Sequence, residues 1–496
     1  MLFNSLSFLL FFPVVTLIYF LLPHKWRWLH LLAASCIFYM YFIPVYILIL
    51  IFTIVIDYIA GIMIEKAEGP RRKLFLVMSI VANVGVLAFF KYYNFFVANI
   101  HSAFNINGGS GWSLPLLNII LPIGLSFHTF QAMSYTIEVY RKRFPAERHF
   151  GIYSLYVMFY PQLVAGPIER PQNVLPQMHE KKRFDYDNVT DGLKLMMWGM
   201  FKKVVIADRL VKLTDPVFNH PRDHTPLALL LTAVFFSFQI FCDFSGYSDI
   251  ALGSARVMGF RLMTNFDKPY QSRDVSEFWK RWHISLSTWF RDYLYISLGG
   301  NRVSIPRWYF NLFFVFLVSG FWHGANWTFI AWGALHGFYL VFAIFSHKAR
   351  KRMNEASGIT RIPWLYTLFQ VLVTYSLVTF AWIFFRANTL KDALYIGGKM
   401  PSALVALGKL VVPGHLSPAY IRNSLGNIPV YQSDLVLSFV LIFFLEMVHL
   451  VQRKRSIIAM VKQKPLAVRW GLYYLLLIAI IFFGVYENRQ FIYFQF

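Results

Sequence analysis

Residues 319–337, SGFWHGANWTFIAWGALHG, combine the composition of a membrane helix with two titratable side chains, His323 and His336. The bilayer core offers no water to an imidazole, so a titratable group there is a candidate for function. Histidine also has a proton affinity near neutral pH, as a general base requires. The alternative is that both histidines only hydrogen-bond to neighbouring helices and hold the bundle together.

The whole chain has the composition of a membrane protein. Of its 496 residues 57% are hydrophobic and 14% are charged, whereas soluble globular proteins have about 25% charged residues. In a soluble protein, 47 Lys and Arg against 24 Asp and Glu would suggest a nucleic-acid partner. Here the basic residues cluster in short loops between apolar runs, which is typical of cytoplasmic loops. We therefore expect membrane lipid, and no nucleic acid, around this chain.

Apolar runs of about 17–25 residues predict roughly 11–12 transmembrane helices. The distribution of basic loops puts both termini on the extracytoplasmic side. We predict one membrane-embedded domain over residues 1–496. Its parts are N-terminal helices (1–115), a motif-bearing core (120–345), C-terminal helices (346–486) and an extracytoplasmic aromatic tail (487–496).

Three further segments have predicted structures that bear on topology. The loop Val97–Ser113 has no Lys, Arg, Asp or Glu, and Leu114–Val139 is a predicted span. The region Ala387–Gln432, rich in Pro and Gly, is predicted to be a long loop.

Polar breaks inside apolar runs indicate a polar tunnel. Residues 159–167, FYPQLVAGP, interrupt a run too short to span, which predicts a re-entrant or broken segment surrounded by protein. In FCDFSGYSDIALG, residues 241–253, Asp243, Ser245 and Asp249 lie at the predicted end of an apolar span. The alternative for these side chains is a role as helix caps.

A polar, basic and aromatic stretch follows, over residues 259–306. Its aromatic and aliphatic residues recur at helical spacing, at Phe278, Trp282, Leu286, Trp289 and Tyr293. Charged residues cover the other sides, at Glu277, Lys280, Arg281, Arg291 and Asp292. The pattern predicts an amphipathic helix at the cytoplasmic face or lining a cavity. The alternative is an anchor to anionic lipid.

Four ordered motifs together resemble the membrane-bound O-acyltransferase superfamily. They are FYPQLVAGPIERP (159–171), FCDFSGYSDIALGSARVMGF (241–260), EFWKRWHISLSTWFRDYLYISLGGNR (277–302) and SGFWHGANWTFIAWGALHG (319–337). They look most like its bacterial branch, which includes the membrane subunit of alginate O-acetyltransferase and the teichoic-acid D-alanyl transfer protein. The resemblance implies an all-α polytopic bundle with re-entrant and amphipathic segments around a central tunnel.

The same resemblance implies roles for the histidines. His323, in F-W-H-G, matches the catalytic histidine, and His283, in R-W-H-I-S-L-S, matches a second motif histidine that lines the tunnel from the cytoplasmic side. His336 matches no catalytic position and is assigned a structural role. The other predicted tunnel or substrate-binding residues are Trp322, Asn326, Gln162, Asp243, Ser245, Lys280, Arg281 and Arg291.

The predicted reaction needs no metal and no tightly bound cofactor, and the sequence has no Walker loop, no G-x-S-x-G and no metal-binding cluster. The donor is acetyl-CoA or an acyl-phosphopantetheine carrier, attracted to the basic region Lys268–Arg302 from the cytoplasm. His323 takes the proton of an acceptor hydroxyl, which attacks the thioester carbonyl. Trp322, Asn326 or Gln162 are candidates to stabilise the oxyanion.

The chain ends in FIYFQF, which also looks like the bacterial branch, and Tyr493 is the predicted acyl acceptor or relay. It would pass the acyl group to an extracytoplasmic acyltransferase partner resembling SGNH hydrolases. The alternative is that the tail belongs to the aromatic belt at the membrane interface.

The predicted function is acetyl transfer across a bacterial inner membrane for O-acetylation of an extracellular or cell-wall polysaccharide. An alternative within the enzymes is D-alanyl transfer to teichoic acid. Alternatives from other classes are a secondary transporter of a small anion or glycan precursor and a structural scaffold for a polysaccharide synthase.

Overall fold

The protein is all-helical in the part of the chain that its computed structural model describes, which is residues 1–104, 114–164, 166–410, 423–426, 428, 432–453, 455–486 and 491–492. This confirms the predicted all-α fold. The α-helices before residue 260 are α1 (Leu6–Leu21), α2 (His24–Met40), α3 (Ile47–Lys66), α4 (Pro70–Leu87), α5 (Tyr93–Ala103), α6 (Leu125–Tyr140), α7 (Phe150–Met158), α8 (Tyr160–Leu163), α9 (Pro171–His179), α10 (Tyr186–Met200), α11 (Asp208–Asn219) and α12 (Pro226–Val257).

The second half of the chain continues in the same way. Its α-helices are α13 (Val275–Arg281), α14 (Ile284–Trp289), α15 (Ile305–His323), α16 (Trp327–Phe345), α17 (His347–Ala356), α18 (Pro363–Arg386), α19 (Leu390–Leu410), α20 (Gln432–Gln452), α21 (Ile457–Lys462) and α22 (Leu466–Phe483). π-Helical segments occur at Ala88–Tyr92, Phe201–Ala207 and Phe290–Tyr295.

Seven helical segments within the described ranges are long and apolar enough to cross a membrane. They are Pro44–Lys66, Pro70–Ala103, Pro226–Val257, Trp327–Phe345, Pro363–Arg386, Gln432–Gln452 and Leu466–Phe483. Of the remaining apolar helices, α1 is shorter, with 16 residues, and α15 carries Arg307 and Asn311. The chain is a multi-pass membrane protein.

The described residues form two compact units. One comprises Met1–Gly199 with Tyr247–Thr264, and the other comprises Met200–Gly246 with Asn265–Ile492. The long helix α12 contributes residues to both. The division of the chain into a core and flanking helices stays a prediction.

In the first unit, polar side chains join α3, α4 and α6 within the membrane. The Asp57 carboxylate accepts hydrogen bonds from Ser79 Oγ at 2.6 Å and from Asn83 Nδ2 at 2.8 and 2.9 Å. His128 Nε2 lies 2.6 Å from Thr53 Oγ1. Interhelical hydrogen bonds of this kind stabilise a bundle in which lipid supplies no hydrophobic force between helices.

In the second unit, α15 and α16 form a hairpin whose backbones touch. A Cβ on Gly320 would lie 2.3 Å from the Phe329 carbonyl oxygen, and a Cβ on Gly333 would lie 2.4 Å from that of Phe316. Both distances exclude any side chain, and small residues are what allows membrane helices to approach so closely. The hairpin is a rigid support for the turn that follows His323.

Two predicted loops contain helix. The predicted loop Val97–Ser113 begins inside α5, which extends to Ala103, because VANIHSA has no residue that stops a helix. The predicted loop Ala387–Gln432 contains α19, which tolerates Pro401 and has a buried apolar face that includes Ala393 and Ile396. An uncharged or Pro- and Gly-containing composition therefore does not by itself exclude a helix.

The predicted span Leu114–Val139 is helical only from Leu125, because Pro115, Pro122 and the left-handed Gly124 (φ 77°) precede α6. The broken segment around FYPQLVAGP is confirmed, since α7 ends at Met158 and α8 is a single turn.

The predicted end of the apolar span near Asp243 is wrong. α12 continues through Asp243 and Ser245 to Val257, so these side chains project from mid-helix and cap no terminus. Burial and ion pairing, described below, allow the helix to continue through polar residues.

Candidate active site

His323 is the last residue of α15, and residues 324–326 separate it from α16. Asn326 Oδ1 accepts the Thr328 N–H at 3.0 Å and caps α16. Asn326, predicted as an oxyanion donor, therefore has its oxygen engaged in the turn, which leaves its NH₂ group as the chemically suitable donor. The cap fixes the turn that follows His323.

Aromatic rings enclose His323. The centroid of its imidazole lies 4.9 Å from that of Trp322, 5.0 Å from that of Trp332 and 5.5 Å from that of Phe385. Only 4% of His323 is exposed. These surroundings keep most bulk water away from the imidazole.

His336 lies on α16 and has a defined structural contact. Trp279 Nε1 donates a hydrogen bond to His336 Nδ1 at 3.2 Å, and the ring is fully buried. Its centroid is 5.1 Å from that of Trp332. The contact supports the structural role that was predicted for His336.

His283 separates α13 from α14 and adopts a left-handed backbone conformation, with φ 43° and ψ 56°. Such a conformation is unfavourable for a residue other than glycine and persists only where the surroundings impose it. Asn265 supplies that constraint, because its carbonyl accepts the Ile284 N–H at 3.0 Å and its Oδ1 accepts Ser285 Oγ–H at 2.7 Å. The break interrupts the predicted amphipathic helix.

The His283 side chain is buried against an aromatic ring. The ring is fully buried, 4.6 Å from the Phe244 ring centroid. His283 lies outside the membrane-spanning segments, and burial lowers the pKa of its imidazole to about 3. At pH 7 the side chain is neutral and suits polarising or orienting a reactant without carrying charge.

A layer of indole rings connects the two motif histidines. Trp282, next to His283, lies 5.0 Å from Trp382 between ring centroids, and Trp382 stacks on Trp332 at 5.7 Å. Trp332 in turn contacts His323. His323 contacts this layer directly, and His283 adjoins it as the sequence neighbour of Trp282, while the membership of both histidines in one site stays a prediction.

A cavity of about 1730 Å³ lies beside this layer. Ile284, next to His283, and Ser319, one turn before His323, contribute to its wall. Much of the lining is apolar, and its basic side chains are Arg273, Lys280, Arg291, His347, Arg350 and Lys351. An apolar chamber with several cations suits a ligand that has both an acyl part and phosphate groups.

The three predicted basic residues differ in position. Lys280 and Arg291 line the cavity, and the Arg291 side chain, 60% exposed, pairs with Asp292 at 2.7 Å. Arg281 pairs with Glu277 across one helical turn at 2.6 Å and is absent from the cavity wall among the described residues. Arg281 therefore stabilises α13, whereas Lys280 and Arg291 line the cavity, and their role in binding stays a prediction.

Asp243 and Ser245 take part in a buried polar cluster that the sequence did not reveal. Lys203 Nζ lies 2.7 Å from Asp243 Oδ1 and 2.9 Å from Asp208 Oδ1. Lys202 Nζ donates to Ser245 Oγ at 2.8 Å. The available signal was the pair Lys202 and Lys203 inside an apolar run.

Two further predicted site residues, Gln162 and Tyr493, are not among the residues described so far. Gln162 belongs to the first unit, where it is buried and its Nε2 donates to the Tyr156 carbonyl at 2.6 Å. Tyr493 lies outside the described residues. The two described residues before it, Phe491 and Ile492, are buried.

The chain resembles acyltransferases of known families. The model of the MBOAT, membrane-bound O-acyltransferase, family matches residues 139–387. A probable alginate O-acetylase from Pseudomonas aeruginosa is 40% identical over 396 residues, which cover 79% of this chain and 73% of the relative.

Two other relatives act on cell-wall polymers. A peptidoglycan O-acetyltransferase from Helicobacter pylori is 36% identical over 434 residues, which cover 80% of this chain and 79% of the relative. A teichoic acid D-alanyltransferase from Streptococcus thermophilus is 30% identical over 310 residues, which cover 54% of this chain and 68% of the relative.

Proposed function

The chain belongs to the membrane-bound O-acyltransferase family and is a membrane acyltransferase, and on that premise we propose that it transfers an acetyl group from a cytoplasmic thioester for O-acetylation of an extracellular or cell-wall polysaccharide. The observation that best supports this proposal is the large cavity with a basic lining. It lies beside the indole layer next to His283 and His323. The O-acetyltransferase relatives are more similar to this chain, and over more of its length, than the D-alanyltransferase.

The donor occupies the cavity. Acetyl-CoA and an acyl-phosphopantetheine carrier share a phosphate-bearing arm that ends in a thioester, and the cationic lining attracts the phosphates. The apolar wall receives the arm and brings the thioester towards the aromatic layer. The basic face of the cavity is cytoplasmic, which leaves both chain termini on the extracytoplasmic side.

His323 acts as the general base in this proposal. It takes the proton from an acceptor hydroxyl as the oxygen attacks the thioester carbonyl, and it returns that proton to the departing thiolate. Neutral His283 orients the reacting groups from the other end of the layer. Trp322, whose ring contacts His323, and the Asn326 amide stay predicted oxyanion donors.

The acceptor is Tyr493, which passes the acyl group to an extracytoplasmic acyltransferase that resembles SGNH hydrolases. The burial of Phe491 and Ile492 supports a tail that folds into the protein, and it argues against a tail that lies only in an interfacial belt. Transfer of D-alanine to teichoic acid is the second candidate, supported by the D-alanyltransferase relative.

The test is transfer of label from radiolabelled acetyl-CoA to the purified protein. We expect label on wild type and none on His323→Ala or Tyr493→Phe. Tyr486→Phe is the matched control, because Tyr486 is 60% exposed and close to the C-terminus in sequence. Label from a D-alanyl carrier and none from acetyl-CoA would favour the second candidate. Label that persists in Tyr493→Phe would exclude that acceptor, and full activity in His323→Ala would exclude the proposed base.

A further inference from the structure

A buried ionic cluster of Lys203, Asp208 and Asp243 holds the described end of the C-terminal segment. The ammonium of Lys203 lies between the two carboxylates, and none of the three side chains is more than 6% exposed. The other oxygen of Asp243, Oδ2, accepts the Ile492 N–H at 2.9 Å. A hydrogen bond to a buried carboxylate is stronger than one between neutral groups.

The neighbouring residue of α12 provides a second contact. Phe491 is fully buried, and its ring lies 5.7 Å from that of Phe244. The Phe244 ring also contacts His283, at 4.6 Å between centroids. Asp243 thus fixes the backbone of the segment at Ile492. Phe244 packs against the Phe491 ring and also contacts the motif histidine His283.

The chain that leaves α22 is attached to the same part of the second unit. Arg209 Nη2 donates to the Phe483 carbonyl at 2.8 Å, and Val485 N donates to the Val204 carbonyl at 2.9 Å. Val204 belongs to the π-helical segment that also carries Lys203. Irregular π-helical turns are frequent at functional sites. The π-helical segment Phe201–Ala207 binds the start of the C-terminal segment through the Val204 carbonyl. Its Lys203 side chain orients the Asp243 carboxylate, which accepts the Ile492 N–H.

We propose that Asp243 is a positioning residue, which holds Phe491–Ile492 against Phe244, the ring that contacts His283. Lys203 orients the Asp243 carboxylate. Asp243 forms and breaks no covalent bond in the reaction. The inference rests on the proposed acyl transfer to Tyr493, since an acceptor on a tail must be held at a fixed distance from its base.

The test is trimming by a broad-specificity carboxypeptidase, followed by intact mass. On wild type, trimming stops before Phe491–Ile492 is removed, because both residues are buried. Asp243→Asn leaves the Lys203–Asp208 pair, and Asp208→Asn, the matched control, leaves the Lys203–Asp243 pair. We expect removal of Ile492 and Phe491 to be roughly tenfold faster in Asp243→Asn, because a neutral amide oxygen accepts a weaker hydrogen bond than the carboxylate does. Asp208→Asn should stay within about twofold of wild type.

A second pair of variants leaves the ionic cluster untouched, so the test does not depend on the folding of Asp243→Asn. Ile492→Pro removes the N–H that Asp243 accepts, whereas Ile492→Ala retains it. We expect only the proline variant to release the segment. Equal trimming within either pair, or rapid loss of Ile492 from wild type, would overturn the proposal.

Acetyl labelling separates this inference from the function it rests on. Asp243→Asn should slow labelling of the protein about tenfold, through the same weakened hydrogen bond, without changing the KM for acetyl-CoA, because the donor cavity is intact. A released segment together with unchanged labelling would keep Asp243 as the residue that holds the tail and would contradict the tail as acceptor. A raised KM with a protected segment would assign Asp243 to donor binding instead and overturn its positioning role.

Discussion

His323 and His283 lie in one aromatic layer, yet different forces fix them. His323 ends a regular helix and is enclosed by three aromatic rings, on a hairpin whose backbones touch. His283 has a left-handed backbone imposed by Asn265, and beyond its neighbour Phe244 lies the segment that Asp243 holds. Helix packing alone therefore builds one half of the site. The other half depends on backbone strain and on a segment from the end of the chain.

The largest expected effect is on the rate of acyl transfer. It should distinguish His323 from His336, the other histidine whose ring contacts Trp332. His323→Ala should lower acyl transfer by roughly 10²–10⁴-fold, since a positioned base is lost. His336→Ala removes a side chain equally close to the same indole and should cost less than about tenfold, through packing alone. Initial rates with purified, correctly folded variants measure both. Equal losses would assign both histidines a structural role.

The pH dependence of unfolding should show that the buried His283 stays neutral in the folded protein. Its pKa is lowered to about 3 by burial, whereas in the unfolded chain it is near 6.5. Below pH 6.5 the unfolded chain therefore binds a proton that the folded chain does not. The stabilisation is complete above pH 6.5 and is lost as the pH falls towards 3, at roughly 1.4 kcal/mol per pH unit.

His283→Asn removes this titration while keeping a residue that tolerates the left-handed region. The slope of the unfolding midpoint against pH, between 6.5 and 4.5 in detergent, should be steeper for wild type than for the variant. Parallel slopes would show that His283 gains access to protons in the folded protein.

The smallest effect is the difference in stability between a glycine and an alanine variant. Its sign should differ between position 283 and position 323. At His283 a glycine should leave the protein about 1 kcal/mol more stable than an alanine, because alanine carries the steric cost of the left-handed backbone. At His323, within helix α15, glycine should be about 0.5 kcal/mol less stable than alanine. Unfolding midpoints of the four variants give both differences. The same order at both positions would mean that the backbone at His283 relaxes once the imidazole is removed.

Much of this architecture follows from residue type and order. Hydropathy predicted the helical membrane fold, and helical spacing predicted the face of Phe278, Trp282 and Leu286, all of which are buried. The motifs around His283 and His323 predicted that these residues belong to one site, and the indole layer connects them. The apolar pattern predicted burial correctly here, although the break at His283 divides this face between α13 and α14.

Other features depend on partners that spacing does not disclose. α12 runs on through Asp243 because Lys203, 40 positions earlier, neutralises the carboxylate, and a single apolar pattern cannot show that pairing. The left-handed turn at His283 depends on Asn265, which belongs to a different segment. The sequence therefore predicted Asp243 as a polar break and missed the ion pair that removes the need for one.

The contact between Gly320 and Gly333 has a consequence for mutational scanning. Neither residue carries a functional group, yet any side chain at either position would have to displace a backbone carbonyl. A saturation library selected for acyl transfer should tolerate substitution there as poorly as at His323. Intolerance alone would therefore assign the two glycines to the reaction. Measuring the yield of folded protein alongside activity would separate them from the base, because glycine variants should be lost at assembly and His323 variants only at turnover.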